Sequence, residues 1–388
     1  MSWRSLAQCL DIDDLRAMAR RRAHRLVFDY IDGGADEERT LKRNTDAFTD
    51  YELLYRVLVG VQSIDTSSTI LGHTVPHPII VSPSAGNRLF HTDGERAVAK
   101  VAGELGLIYC LSTLSSVSIE EIARLTRGPK WFQCYVWKDR GLIKEMLARA
   151  KASGFSALIL TVDLPIHGHR LRDIRNQFSI PPKIGLRLAW EALRRPAWTW
   201  DYLTSAPIGY ANLHESTPAL GLAQFVAQQL DASFDWCDAE WLLGEWNGRS
   251  VIKGVVRKDN AVRAVATGFN AIMVSNHGGR QLDHSPAPID VLEHIVAAVD
   301  HRAEVILDGG IRRGSDILKA FALGARTVSF ARPYLYGLAA AGEAGVRRAF
   351  EIITNSFCHD MALLGTPSLA EIDHSFVQRR SPPPVCHG

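Results

Sequence analysis

Cysteine is scarce in this chain and never paired at short range. The six, Cys9, Cys110, Cys134, Cys237, Cys358 and Cys386, include no C-x-x-C. That spacing supports neither a zinc site nor a disulfide scaffold, so no metal is expected and a reducing compartment is. An excess of charge is also missing. Lys and Arg number 44 against 42 Asp and Glu, net +2, too balanced for a protein that holds nucleic acid by bulk charge. No apolar run is long enough for a membrane-spanning helix. The chain starts Met-Ser-Trp-Arg and turns polar at once. No secretion signal is expected from it, and a cytoplasmic location is. No G-x-G-x-x-G follows the first apolar run, which leaves a Rossmann dinucleotide site unsupported. With 46% hydrophobic and 22% charged residues among 388, neither a disordered nor a collagen-like chain fits.

What is present is a series of short apolar runs: 78–82, 107–111, 131–136, 157–162, 250–253, 271–275, 304–308 and 326–330. Each is rich in β-branched or aromatic residues, as in parallel strands buried on both faces. Helical stretches lie between them, at 92–105, 140–153, 259–267, 289–299 and 314–323. Ser118-Ile119-Glu120-Glu121 reads as a capping box before another. Eight βα units in a row predict an α/β fold, a TIM (β/α)8 barrel spanning about 78–340 within a single domain of 1–380. A helical lead-in occupies 1–77, an insertion of about 165–249 follows strand four, and 341–378 reads as a closing helix.

Such barrels carry their chemistry at the C-terminal ends of the strands. Here those ends read Ser84, Ser112, Gln133 with Tyr135, Thr161 with Asp163, Lys253, Asn276 with His277, Asp308 and Arg332. Asp308-Gly309-Gly310-Ile311-Arg312-Arg313-Gly314 offers glycines, arginines and the positive end of the next helix to a phosphate, with Arg332 beside it. His277 titrates near neutrality, and Arg280 has the planar fork that matches a carboxylate. Asp163 can orient a histidine that becomes charged, or form a salt bridge with Arg170. Arg170 can anchor a carboxylate, and Lys253 can face a cofactor ring that gains negative charge or simply reach for water.

Taken together, Ser275-Asn276-His277-Gly278-Gly279-Arg280-Gln281-Leu282-Asp283 and Phe28-Asp29-Tyr30-Ile31-Asp32-Gly33-Gly34-Ala35 resemble the FMN-dependent L-2-hydroxy acid dehydrogenase and oxidase family. That family includes lactate and mandelate dehydrogenases and glycolate oxidase. The resemblance covers about residues 10–375. It implies that Tyr30, Arg170 and Arg280 hold the substrate carboxylate and that Tyr135 lies near its hydroxyl. His277 is then the base, supported by Asp163. FMN contacts fall on Ser84, Ala85, Ser112, Gln133, Thr161, Lys253 and Ser275, and its phosphate on Asp308, Gly310, Arg312 and Arg332. Whether the base takes its proton from the hydroxyl or from the carbon stays open. The resemblance implies a small 2-hydroxy acid substrate, L-lactate first and mandelate-type acids second. Its electron acceptor is a quinone or oxygen, and its assembly a homo-tetramer. A barrel that binds FMN without turnover is the rival outside enzymes. The chain departs from the family in Ala331-Arg332, where Gly-Arg is usual. Ser84-Ala85-Gly86 and Leu114 stand where glycolate oxidase has bulkier residues, which implies a roomier pocket.

The insertion carries a basic, aromatic segment at 183–203. Lys183, Arg187, Arg194 and Arg195 interleave with Leu186, Trp190, Leu193, Trp198 and Trp200. Leu186, Ala189, Trp190 and Leu193 fall on one helical face, broken on the other side by Leu188. Such a face can dock peripherally on the inner surface of the cell membrane, or pack as a lid on the barrel mouth or on a neighbouring subunit.

Overall fold

In the computed structural model, which describes residues 5–178, 190, 192–213 and 228–380, the chain enters through three helices. They are α1 (Ile12–Arg22), α2 (Arg25–Asp32) and α3 (Arg39–Asp46). Asp11 caps α1 by accepting from the amide of Asp14 at 2.8 Å, and its apolar face is Ile12, Leu15 and Ala19. Three short strands follow: β1 (Tyr51–Leu53), β2 (Ser68–Ile70) and β3 (His73–Val75). None was expected from the apolar runs. β2 and β3 form an antiparallel hairpin across Leu71-Gly72, both at positive φ. That turn geometry suits a two-residue loop, and only its glycine is a readable signal.

The eight apolar runs are the barrel strands, each within two residues of its expected bounds. They are β4 (Ile79–Val81), β5 (Ile108–Ser112), β6 (Lys130–Tyr135), β7 (Ala157–Thr161), β8 (Arg249–Val255), β9 (Ala271–Val274), β10 (Glu304–Asp308) and β11 (Thr327–Phe330). All neighbours are parallel, and β11 pairs with β4 to close the ring. Alternate side chains face opposite ways. Ile80, Ile108, Cys110, Trp131, Ile159, Val251, Met273 and Ile306 form one apolar cluster, plugged by Ile70, Leu71 and Val75 of the hairpin. Their neighbours, such as Val81, Leu111, Leu158, Leu160 and Leu307, belong to a second cluster shared with the helices. The first cluster is thus the barrel interior and the second the strand–helix layer.

The surrounding helices are α4 (Gly94–Glu104), α5 (Ile119–Leu125), α6 (Arg140–Ala152), α7 (Leu171–Arg175), α8 (Pro196–Thr204), α9 (Trp236–Trp246), α10 (Lys258–Thr267), α11 (Pro288–Val299), α12 (Gly314–Ala322) and α13 (Arg332–Leu364). Ser118 caps α5 from the amide of Glu121 at 3.2 Å. The return half of the box is replaced, because Arg96 takes the Glu121 carboxylate at 2.5 and 3.2 Å. The expected closing helix differs. α13 begins at Arg332, kinks at Ala341 and Gly342, and stops at Gly365. The following residues make two short 3-10 turns and β12 (Val377–Arg379), which pairs antiparallel with β1.

Candidate active site

The polar residues of the barrel mouth follow from the same alternation. Two residues beyond each inward apolar side chain comes an inward polar one: Ile80 to Ser82, Cys110 to Ser112, Trp131 to Gln133, Ile159 to Thr161, Val251 to Lys253, Met273 to Ser275 and Ile306 to Asp308. A strand that stays in register must present these groups in one layer above the core. They are all buried and interlinked. Ser112 Oγ donates to Gln133 Oε1 at 3.0 Å, and Gln133 Nε2 donates to Thr161 Oγ1 at 3.0 Å. Lys253 Nζ donates to Asp308 Oδ2 at 2.6 Å and to Ser275 Oγ at 2.8 Å. Ser82 donates to the other Asp308 oxygen at 3.0 Å. Burial opposes both charges of the Lys253–Asp308 pair. Their mutual attraction overcomes it, holding the amine above its ordinary range and the carboxyl below.

His277 lies just past β9 with φ at +57°, a left-handed conformation that costs a non-glycine residue about 1 kcal/mol. Its amide is held by Ser275 Oγ at 3.0 Å. Its Nδ1 is 2.7 Å from Asp163 Oδ1. A carboxylate only accepts, so Nδ1 carries the hydrogen and Nε2 keeps its lone pair. Burial pushes the imidazole below its ordinary pKa against the opposing pull of Asp163, with Lys253 and Arg170 adding to the fall. The imidazole is neutral at pH 7. Asp163 packs against Gly254, where the register of β8 shifts between Lys253 and Val255. A Cβ on Gly254, at φ +110°, would stand 2.6 Å from Asp163 Cβ.

Four arginines line the same cavity with neutral partners, one of them Arg312, which donates to the Ile311 carbonyl at 2.8 Å. Arg280 donates to the carbonyls of Tyr30 at 2.5 Å and Gly33 at 3.2 Å, and lies 4.6 Å from the Tyr30 ring centre. Arg170 donates to the carbonyl of Arg280 at 3.1 Å and to Gln281 Oε1 at 3.0 Å. Asp163 therefore turns to His277, and Arg170 turns to Gln281. Arg332 donates to the carbonyls of Ile31, Gly278 and Gly33 at 2.9–3.0 Å. Burial, aided by Arg280, lowers Arg170 and Arg332 to about 10, so both stay charged at neutral pH. Buried cations whose hydrogen bonds go to uncharged groups call for anions. Tyr135 lies with its ring 6.5 Å from that of His277. Burial raises its hydroxyl above the ordinary range, which keeps it a hydrogen-bond donor.

The glycine loop after β10 differs from expectation in one respect. The amides of Arg312 and Arg313 go to Asp316 at 2.8 and 3.1 Å, and that of Gly314 goes to Ser356 at 2.9 Å. The start of α12 is thus internally satisfied. Gly309 faces open space within 4 Å of where a Cβ would sit, and Gly309, Gly310, Arg312 and Arg332 line the cavity together. That cradle fits a phosphate, and the lining groups Gln133, Thr161 and Lys253 of the polar layer, with Ser84 above it, fit the flat polar edge of a flavin.

The cavity measures about 530 Å³. It brings together Tyr30, Ser84, Ala85, Gln133, Tyr135, Thr161, Arg170, Lys253, His277, Arg280, Asp308, Gly310, Arg312 and Arg332. Asp163, Ser112 and Ser275 stand one layer behind, against His277, Gln133 and Lys253. Leu114 lines the cavity. Gly86, expected beside it, caps a 3-10 turn at Asn87–Leu89 instead and is not part of the lining. The sequence reading missed Phe90, Ile174, Phe178 and Tyr210, which form much of the apolar wall. Phe178 stacks on Tyr30 at 4.3 Å. Nothing in their spacing marks them, since three of the four come from the insertion. In the basic-aromatic segment, Lys183, Leu186, Arg187, Leu188 and Ala189 lie outside the described residues. Trp190, Leu193, Trp200 and Leu203 are exposed, whereas Trp198 is buried and donates to the carbonyl of Leu89 at 2.9 Å. No helix among the described residues is long and apolar enough to cross a membrane.

Comparison with known proteins joins these observations. The family described as FMN-dependent dehydrogenase matches residues 19–379. An L-lactate oxidase from a Nostoc species is 41% identical over 96% of this chain and 99% of its own. An L-lactate dehydrogenase from Caulobacter vibrioides is 40% identical over 95% and 97%. The crystal structure of a monotopic membrane protein, (S)-mandelate dehydrogenase, superposes with a TM-score of 0.92 at 34% identity, covering 96% of this chain and all of the other.

Proposed function

From the premise that the chain belongs to the FMN-dependent dehydrogenase family and is an oxidoreductase of L-2-hydroxy acids with FMN as cofactor, we propose that it oxidises L-lactate, or an acid of similar or larger side chain, and passes the electrons to a quinone. The observation that carries this reading is one cavity in which the neutral His277 imidazole, backed by the Asp163 carboxylate, faces Arg170 and Arg280, whose hydrogen-bonded partners are uncharged. Bound FMN supplies the two-electron acceptor. Ser84, Ala85, Gln133, Thr161 and Lys253 would hold its ring and chain, with Ser112 and Ser275 behind them. Asp308, Gly310, Arg312 and Arg332 would hold the polyol and phosphate end.

The chain's own groups do the rest. Arg170 and Arg280 grip the substrate carboxylate with two forks, and Tyr30 fixes the plane of Arg280. Tyr135 donates to the substrate hydroxyl. His277 takes a proton at Nε2, a step worth about 10²–10⁴-fold. Asp163 stabilises the imidazolium that results and keeps Nε2 aimed at the substrate. The Lys253 amine meets the negative charge that accumulates beside it. Phe90, Phe178, Tyr210 and Leu114 wall the remaining space, which favours an aryl side chain of the mandelate kind as the second reading. A pocket this apolar gives glycolate little to bind.

Anaerobic stopped-flow mixing with L-lactate, L-mandelate and glycolate tests the substrate. Bleaching of the flavin by none of them would refute the reading. Mixing the reduced protein with oxygen or with a soluble quinone tests the acceptor, and faster reoxidation by oxygen makes the protein an oxidase. Exposed Trp190, Leu193, Trp200 and Leu203 beside Arg194 support peripheral attachment to an anionic membrane. Co-sedimentation with anionic vesicles checks it. The exposed apolar stretch of Tyr55, Val57 and Leu58 supplies a face for a homo-tetramer, which sedimentation velocity would count.

A further inference from the structure

α7 has five residues and two working faces. Arg170, Asp173 and Ile174 line the cavity. Arg172 and Asn176, one turn apart, face α2 instead. Arg172 Nη1 donates to Asp32 Oδ2 at 3.1 Å and lies 3.8 Å from Asp29 Oδ1, while Nη2 pairs with Glu38. Asn176 donates to Asp29 Oδ2 at 2.8 Å. Asp29 and Asp32 are three residues apart, so they share one face of α2. Just before α7 the two segments are joined again, by the Asp36 amide on the His169 carbonyl at 2.8 Å.

Asp32 is itself fixed. It also accepts from Arg16 at 2.6 and 2.9 Å and from the Tyr336 hydroxyl at 2.9 Å. It is thereby anchored to α1 and α13. The approach of Arg172 is close, since a Cβ on Gly33 would stand 3.3 Å from its Cδ. α2 carries Tyr30, and the carbonyls of Tyr30 and Gly33 orient Arg280. The loop that leads into α7 carries Arg170. The two halves of the carboxylate grip therefore come from segments far apart in sequence, and the Arg172 cluster ties them together.

We propose that Arg172 is a positioning residue for substrate binding. Its ties to Asp32, Glu38 and Asp29 hold α7 against α2 and so set the distance between the Arg170 and Arg280 guanidinium groups. This rests on the reading of those two arginines as carboxylate anchors. Arg172 is not among the residues that line the cavity, so its loss weakens binding of the acid and leaves the proton transfer by His277 and the FMN cradle unaltered. A bidentate grip is sensitive to sub-ångström misplacement.

The test uses the FMN-loaded protein with Arg172→Gln, with Asn176→Ala as a milder second variant. Arg175→Gln, on the exposed end of α7, serves as control. Pyruvate, a carboxylate that cannot be oxidised here, is titrated against the visible flavin spectrum. KM and kcat are measured with the best hydroxy acid. The expected result for Arg172→Gln is a rise in pyruvate Kd and in KM of about tenfold. Its kcat stays within about threefold and FMN affinity is unchanged, the Asn176→Ala shift is smaller in the same direction, and Arg175→Gln gives none. Equal pyruvate Kd in the parent, Arg172→Gln and Asn176→Ala proteins would overturn the proposal. So would a loss of kcat or FMN matching the loss of affinity. If the parent itself gives no spectral change with pyruvate but is reduced by a hydroxy acid, the positioning claim fails alone. If neither ligand acts, the carboxylate reading falls with it.

Discussion

Replacing Asp163 by Asn tests the base more sharply than replacing the base itself. Asp163 Oδ1 lies 2.7 Å from His277 Nδ1, and its carboxylate raises an imidazole that burial otherwise lowers. An amide of the same shape loses the charge and can turn its NH2 toward Nδ1. The imidazole hydrogen then moves to Nε2, and the lone pair no longer faces the cavity. Both effects act on proton transfer. The rate of flavin reduction should fall by about 10²–10⁴, equivalent to roughly 3–5 kcal/mol of barrier. Stability should hardly change, because Asp163 Oδ2 is buried without a hydrogen-bond partner and the variant removes a desolvated charge. FMN should stay bound, since Asp163 is behind the cavity wall. Anaerobic stopped-flow at saturating hydroxy acid reads the rate, and the visible spectrum reads the flavin. A loss under tenfold with FMN retained would refute the assigned tautomer and the role of the pair.

Gly254→Ala should act through the same group. Its Cβ would meet Asp163 at 2.6 Å on a backbone at φ +110°, so a loss of about 1–3 kcal/mol in urea denaturation should accompany slower flavin reduction. An unchanged reduction rate would show that Asp163 has room to move. Lys253→Met leaves the buried Asp308 carboxylate unpaired and should cost about 3–5 kcal/mol, with Lys253→Met plus Asp308→Asn recovering part of it; denaturation curves of the apo-proteins decide. His277 carries the pH dependence. Its folded pKa lies below its unfolded value, so the stability linked to the neutral ring is present above about pH 6.5 and is lost as pH falls through the unfolded and then the folded pKa. The acid limb of kcat/KM should be centred below pH 6.5, and a decline centred above 7 would contradict the lowered pKa. Saturating FMN at about 100 times its Kd should stabilise the apo-protein by about 2.7 kcal/mol, read as a rise in Tm with FMN concentration.

The barrel was legible because its strands are buried on both sides. A strand with one wet face would have diluted the apolar runs. Here Val81, Leu111 and Leu158 pack outward while Ile80, Cys110 and Ile159 pack inward, so every run was continuous. The hairpin of β2 and β3 was not legible, because three-residue strands carry too little pattern. The closing helix was misread beyond Leu364. Gly365 ends it in a left-handed conformation two residues before Pro367, a Gly-then-Pro stop signal that the sequence does carry. The second half of the capping box failed for a tertiary reason, since Arg96 from α4 outcompetes a local amide for Glu121.

The candidate site divides along the same line between local and distant causes. Residues fixed by strand register, from Ser84 and Gln133 through Thr161 and Lys253 to His277 and Asp308, were readable from the ends of the runs. What surrounds them was not, because it is supplied by segments whose order in the chain says nothing about where they land. Whether Asp163 pairs with Arg170 or His277 could not be read from sequence, and it decides what both residues can do. Asp163 on His277 keeps the Nε2 lone pair toward the cavity, and Arg170 on Gln281 stays a cation that hydrogen-bonds no carboxylate. The same holds for Arg280 and Arg332, whose partners are carbonyls of Tyr30, Ile31 and Gly33. Those backbone groups have no side-chain identity to read. They come from the N-terminal arm, and by satisfying the geometry of the guanidinium groups without neutralising them they leave two positive sites in one cavity. On the proposed reading, the substrate carboxylate and the cofactor phosphate are each matched to one of them.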